Sequence, residues 1–344
     1  MNFLEQVIKD SKNEYAGLVC NGIAAGDLQS FVDTGSYIFN ALISGSLFGG
    51  IPSNKITAIA GESGTGKTFF CLGVVNNFLK NNPDAGVIYF ETESALSKQM
   101  IESRGIDSKR MVIFPIDTIE EFRTQAVRVI DKYVAQPKED RKPILFVLDS
   151  LGMLSTNKEV QDASDDKQVR DMTKAQLIKS AFRILTLKLG KANIPMIVTN
   201  HTYASMNPYG PDKDMGGGSG LKYSASTIIY LSKKKEKDGG TELVGNIIKC
   251  EAKKSRLTRE GSKVETRLYF DQRGLEKYYG LLELGESAGI WKNVAGRYEI
   301  GGKKIYGKDI LKDPEQYFTD DIMALLEQHA QQEFLYGRSN EGED

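Results

Sequence analysis

Between residues 55 and 80 an apolar strand pattern runs into Gly61-Glu62-Ser63-Gly64-Thr65-Gly66-Lys67-Thr68, and an apolar helical pattern follows. That order constrains the fold more than any other feature of the 344 residues. It is a G-x-x-x-x-G-K-[ST] loop between a strand and a helix, the context that gives the motif its chemistry. Gly61, Gly64 and Gly66 let the backbone curl until successive N–H groups face one concavity. The helix N-terminus adds the positive end of its dipole. Glu62, Ser63, Thr65 and the first residue past the loop, Phe69, belong to the same phosphate-facing run. Lys67 is placed to reach β- and γ-phosphates, and the Thr68 hydroxyl to ligate Mg²⁺.

Around this loop the pattern predicts short strands at 55–60, 86–91, 111–114, 144–148, 196–199, 227–231, 246–250 and 266–270. Helices are predicted at 69–80, 119–134 and 174–191. Continuous apolar strands alternating with helices predict an α/β fold, its mostly parallel sheet covered on both faces. Residues 1–20 carry Phe3, Leu4, Val7 and Ile8 at helical spacing, and 21–35 reads as a linker. Past about 275, helical stretches at 278–290 and 320–335 flank a short hairpin at 298–306, which predicts a small C-terminal α+β domain. The expected division is 1–35 for N-terminal helix and linker, 36–274 for the core, 275–336 for the C-terminal domain and 337–344 for an acidic tail. No apolar run approaches the ~18 residues of a membrane span. The start lacks the basic and apolar stretches of an export signal, so a cytoplasmic protein is expected. Three scattered Cys and two His give no ligand spacing for zinc or for a disulfide framework.

A phosphate loop needs an acid for its metal ion, and residues 144–148 end in Asp149, at the edge of a parallel sheet where ligands collect. Hydrolysis also needs a group to activate water. Period-2 alternation puts Tyr89, Glu91 and Glu93 on one side of a strand, with both carboxylates at its C-terminal end. Glu93, the further out, is the expected base. A third strand end carries Asn200-His201, which could sense the γ-phosphate or serve only as a structural hydrogen-bonder. Residues 202–220 then run without periodicity, and loops of that length in compact domains are usually functional. Tyr203, Met206 and Tyr209 offer rings and a thioether for stacking or wedging, and Gly216, Gly217 and Gly218 allow close backbone approach. A second polar stretch, 155–170, follows Asp149 on the same edge.

Taken in order, these motifs resemble the RecA family of homologous-recombination ATPases, and within it the UvsX-type recombinases of tailed phages. The resemblance covers about residues 30–335. It rests on Asp33-Thr-Gly-Ser36 and Gly49-Gly-Ile-Pro52 before the phosphate loop, and on Leu148-Asp149-Ser150-Leu151-Gly152 and Asp171-Met-Thr-Lys-Ala175. Asn200-His201-Thr202-Tyr203, Met215-Gly-Gly-Gly-Ser-Gly220 and Tyr279-Gly280-Leu-Leu282 complete it. Bacterial RecA has Gln where this chain has His201, which favours the phage branch.

The resemblance implies a RecA-like P-loop NTPase core that binds ATP and Mg²⁺. Lys67, Thr68 and Asp149 would be its Walker residues, Glu93 its water-activating base and His201 its γ-phosphate sensor. It implies two DNA-binding loops, 155–170 with Arg170 and 202–220 with Tyr203, Tyr209, Gly217 and Gly218, and Arg183 facing DNA between them. Lys254 and Arg256 stand where a neighbouring subunit inserts two cations at the ATP, a stretch that otherwise reads as a solvated charge run. The family's usual adenine-stacking aromatic is not evident in this chain, where Met100 falls near that position. The implied partners are single-stranded DNA, homologous duplex DNA, further copies in a helical filament, and single-strand-binding and recombinase-loading proteins. If the chain is phage-encoded, the cytoplasm is the host cell's. A ring-forming hexameric helicase on the same core and a non-catalytic recombination mediator stay open as alternatives.

The net charge of −1 seems at odds with nucleic acid, but it sums unlike regions. Residues 231–263 hold ten Lys and Arg against five acids, whereas 315–344 hold one Arg and eight acids. The acidic end is expected to compete with DNA. Glycine, 34 of 344 residues against a usual ~7%, is concentrated partly in the two phosphate-approaching segments.

Overall fold

The computed structural model describes residues 2–165, 173–204, 213–216, 219–234, 245–300 and 302–337. Helix α1 (Phe3–Ser11) starts with a capping box between Asn2 and Glu5 and buries none of its residues. The linker after it returns to the body of the chain: Lys55 Nζ donates to the carbonyls of Ala25 (3.1 Å) and Gly26 (3.0 Å), and Asn54 Nδ2 to that of Asp27 (2.7 Å). Strands β1 (Phe31–Val32) and β2 (Ile51–Pro52) then pair antiparallel around helix α2 (Tyr37–Ser44), which is almost wholly buried. Sequence pattern alone missed α2, because a helix buried all round shows no polar stripe.

The alternating section follows: β3 (Ile56–Gly61), α3 (Lys67–Asn81), β4 (Gly86–Glu91), α4 (Lys98–Glu102), β5 (Met111–Pro115), α5 (Ile119–Val134) and β6 (Ile144–Asp149). After it come α6 (Asn157–Ser164), α7 (Lys174–Ala192), β7 (Met196–Ala204), β8 (Lys213–Met215), α8 (Ser219–Ser224), β9 (Thr227–Lys234), β10 (Gly245–Ser255) and β11 (Lys263–Tyr269). The main sheet runs β11-β10-β9-β3-β7-β6-β4-β5, with β8 paired to β7. Strands β9, β3, β7, β6, β4 and β5 are parallel, while β10 and β11 close one edge antiparallel.

Period-2 alternation divides the apolar residues between two cores. Ile59, Val87, Tyr89, Leu145, Val147 and Ile197 face α2 and α3. Ala58, Phe90, Phe146, Leu148 and Val198 face α5 and α7, where Phe90 meets the rings of Phe122 (5.1 Å) and Phe146 (5.7 Å) edge-on. Each fully buried Val, Leu, Ile or Phe side chain among them contributes roughly 1.5–3 kcal/mol. A one-residue slip of register would move every one of them to the wrong face.

The C-terminal section holds α9 (Leu281–Ser287), a three-stranded sheet of β12 (Lys292–Val294), β13 (Arg297–Ile300) and β14 (Lys303–Tyr306), then α10 (Gly307–Ile310) and α11 (Asp320–Phe334). Its Trp291, Phe318, Leu326 and Phe334 join the apolar cluster of α2, so it shares a core with the sheet. Two expectations are corrected here. The hairpin is a three-stranded sheet, the added strand β12 being too short and exposed to read as a strand. The predicted helix 278–290 shrinks to α9, started by Gly280 at φ +91°. Among the described residues no helix is long and apolar enough to cross a membrane.

Candidate functional site

Parallel register brings the strand ends together. Gly61, the last residue of β3, pairs with His201 of β7, and Glu91, the last of β4, pairs with Asp149 of β6. The phosphate loop therefore opens beside the acids, in the crevice at the carboxyl edge where α/β sheets place ligands. Gly64 (φ +74°) and Gly66 (φ +89°) occupy the left-handed region, and nothing lies within 4 Å of the space above Gly64.

The side chains at this edge fit a nucleotide and a divalent cation. Lys67 Nζ is folded back onto the loop's own carbonyls, Gly61 O at 3.0 Å and Glu62 O at 3.1 Å, the contacts a phosphate would replace. Burial lowers the Lys67 pKa, and Asp149 and Glu93 beside it oppose the shift. The Thr68 hydroxyl donates to Asp149 Oδ2 at 2.7 Å, so two oxygen ligands of the hard kind that Mg²⁺ takes already adjoin. Thr65 Oγ1 ties the loop to Glu62 O at 2.9 Å. Ser63 is exposed. The Phe69 ring packs against Phe270 (5.7 Å) and under the Arg104 guanidinium (4.3 Å).

The two strand-end glutamates have different work. Glu91 is buried, and its carboxylate accepts the backbone N–H groups of Glu93 (3.0 Å), Ser94 (2.9 Å) and Ala95 (2.9 Å). It shapes the turn, where Ser94 is held at φ +53°. Glu93 is the partly open acid. Its Oε1 accepts from Ser150 Oγ at 2.8 Å and lies 3.4 Å from His201 Nε2. On its other side, His201 Nδ1 is 3.5 Å from Lys67 Nζ. Since an ammonium only donates, the tautomer that satisfies both neighbours has Nδ1 accepting and Nε2–H toward Glu93. The row Lys67, His201, Glu93, Ser150 thus joins the phosphate loop to the end of β6.

His201 also begins the stem of the 202–220 segment. Asn200 Nδ2 donates to Gly216 O (2.8 Å), Gly216 N to His201 O (3.1 Å), and Thr202 pairs with Met215 across β7 and β8. Lys213, at the returning end, forms an ion pair with Glu62 of the phosphate loop at 2.7 Å. Both are exposed, so water screens the pair. Tyr203 on this stem is exposed. Tyr209, Gly217 and Gly218 lie outside the described residues, as does Arg170. The other polar stretch, 155–170, is helical over α6, whose capping box of Thr156 and Glu159 is a T-x-x-E signal readable in the sequence.

Lys254 and Arg256 do not join the phosphate loop of their own chain. Lys254 Nζ caps the end of α8, bonding Lys222 O at 2.6 Å and Ala225 O at 2.8 Å. Burial lowers its pKa, as does Arg256 nearby. Arg256 lines an open groove of about 430 Å³ with Arg183, Lys179 and Tyr223. Met100 is half-buried against the core, and its carbonyl accepts from Arg104 at 2.8 Å.

Two site residues escaped the sequence. Tyr89 donates its phenol hydroxyl to Asp149 Oδ2 at 2.7 Å, and Thr199 donates to Asp149 Oδ1. Burial, with Asp149 beside it, holds the Tyr89 phenol well above its ordinary pKa, so it is a donor at neutral pH. Alternation put Tyr89 on the right side, but only the register across strands shows its partner.

The family described as the RecA N-terminal domain matches residues 19–275. The chain is 34% identical over 253 residues to the recombination and repair protein of Enterobacteria phage T4, a match covering 74% of this chain and 62% of that protein. It is 26% identical over 272 residues to Protein RecA of Streptomyces rimosus, covering 77% of this chain and 69% of the relative. To Protein RecA of Caulobacter vibrioides (strain NA1000 / CB15N) it is 25% identical over 336 residues, covering 93% and 90%. The match to the phage protein therefore spans less than two thirds of that relative's length.

Proposed function

The chain belongs to the RecA family, and on that footing we propose that it is a single-stranded-DNA-dependent ATPase. In this reading it polymerises as a helical filament on single-stranded DNA and drives pairing and strand exchange with a homologous duplex. The observation that carries the reading is the meeting of Lys67, Thr68, Asp149, Glu93 and His201 at one sheet edge, one residue from the 202–220 stem.

Thr68 and Asp149 would hold Mg²⁺, which when bound neutralises phosphate charge during transfer. Lys67 exchanges its two loop carbonyls for phosphate oxygens. Glu93, fixed by Ser150 and His201, orients a water and takes its proton as the water oxygen bonds the γ-phosphorus and ADP leaves. His201 lies between Lys67 and the 202–220 stem, so a change at the γ-phosphate has a short mechanical route to the DNA-facing segment. Lys254, which caps the end of α8, and Arg256, which lines the groove with Arg183, are proposed to reach a neighbouring copy's nucleotide. Tyr203, Tyr209, Gly217, Gly218, Arg170 and Arg183 are proposed to contact DNA. The complete set of hydrolytic residues argues against a non-catalytic mediator.

The test is steady-state phosphate release with and without single-stranded DNA. Stimulation of tenfold or more is expected, and a rate indifferent to DNA would refute the reading. Electron micrographs of the ATP-bound protein on single-stranded DNA should show open helical filaments; closed six-fold rings would support the helicase alternative. Tyr203→Ala is expected to weaken single-stranded DNA binding by roughly 1–3 kcal/mol at fixed salt, measured by fluorescence anisotropy.

A further inference from the structure

We propose that Tyr89 and Thr199 are positioning residues that clamp the Asp149 carboxylate from its two neighbouring strands and so set the affinity of the site for Mg²⁺. Asp149 ends β6, and the sheet order places β4 on one side of that strand and β7 on the other. Tyr89 is on β4 and Thr199 on β7; both are fully buried. Each sends its hydroxyl to a different oxygen of the same carboxylate, Tyr89 to Oδ2 at 2.7 Å and Thr199 to Oδ1.

Nothing in the sheet itself requires hydroxyls there. The residues around Tyr89 on the same face, Val87, Leu145, Val147 and Ile197, are apolar. A buried hydroxyl is costly unless bonded. Both of these bond to Asp149.

Lone-pair geometry then defines what is left for a cation. A carboxylate oxygen has about two acceptor sites. On Oδ2 they are taken by Tyr89 and Thr68, and on Oδ1 one is taken by Thr199. When Thr68 turns its oxygen to a metal ion, the Oδ2 site that it vacates is the one facing Thr68, while Tyr89 and Thr199 still hold the carboxylate plane. The arrangement is the carboxylate counterpart of the outer-shell partners that orient metal ligands elsewhere, whose loss typically costs 10–100-fold in metal affinity.

This inference rests on the reading of Asp149 as a Mg²⁺ residue, and the test separates the two. Binding of ATPγS to the full chain is followed by calorimetry across a Mg²⁺ titration, and again in EDTA. Tyr89→Phe and Thr199→Val are each expected to raise the Mg²⁺ midpoint about tenfold and to leave metal-free nucleotide affinity unchanged. Thr199→Ser, which keeps the hydroxyl, should restore the wild-type midpoint. Asp149→Asn is the reference. If it shifts the midpoint and both Tyr89→Phe and Thr199→Val stay within twofold of wild type, the clamp is overturned and the metal reading stands. If Asp149→Asn leaves the midpoint in place, the metal reading falls and the clamp falls with it. Circular dichroism and urea midpoints check folding; should one clamp variant fail to fold, the midpoint of the other decides.

Discussion

Replacing Glu93 by Gln is expected to lower ATP turnover on single-stranded DNA by roughly 10²–10⁴-fold, with ATP binding within a few-fold of wild type. The amide oxygen can still accept from Ser150 Oγ, now 2.8 Å from Glu93 Oε1, so the side chain keeps its place. What it loses is basicity, and the His201 N–H at 3.4 Å then faces a neutral group. Lys67 is held by the Gly61 and Glu62 carbonyls and Thr68 by Asp149, contacts that do not involve Glu93, so the phosphate cradle survives. Steady-state phosphate release and equilibrium binding of ATPγS, measured on the same preparation, separate the two effects. Turnover within threefold of wild type would remove Glu93 from the base position. A matched fall in turnover and binding would mean that it supports the cradle instead.

The parts of the fold that are local in sequence are legible in it. The phosphate loop is so because its glycines, lysine and threonine are contiguous and flanked by two clear periodicities. Helix α5 reads to its exact ends because Thr118 caps it and a polar stripe runs along it. The strand cores read well, but their ends do not. β7 runs on to Ala204 because β8 returns to pair with it, and β10 is extended by partners on both sides. Helix α6 is hard to see because none of its residues is buried and its signal is only a cap. In the site, each strand end is visible singly, yet the meeting of Tyr89, Asp149 and Thr199 spans separations of 60 and 50 residues. Only register makes that contact. The same limit hides the division of labour between Glu91 and Glu93: alternation puts both on one side, and burial decides which one faces inward.

That division gives a second large effect. Glu91→Ala is expected to open the 92–95 turn and to lower turnover by 10–100-fold, although Glu91 touches neither the phosphate loop nor Asp149's carboxylate. Three backbone N–H groups converge on its two oxygens at 2.9–3.0 Å. Hydrogen bonds to an ionised group contribute about 1.5–3 kcal/mol each. They share one carboxylate and one turn, and water reaches the outer part of it, so the loss should fall short of the sum, at roughly 3 kcal/mol. Glu91→Gln should be little better. One amide oxygen can replace at most two of the bonds, and its NH₂ then confronts a backbone N–H. Amide hydrogen exchange at Glu93, Ser94 and Ala95 reads the turn directly: protection at all three should drop together in both variants. Turnover should fall with it, because Glu93 hangs on this turn and a base displaced by about 1 Å can lose 10²-fold. ATP affinity should hold, since Lys67 and Thr68 keep their partners. Unchanged protection at the three amides would show that the Ser150 and Thr92 bonds between the ends of β4 and β6, at 2.8–3.0 Å, hold the turn without Glu91.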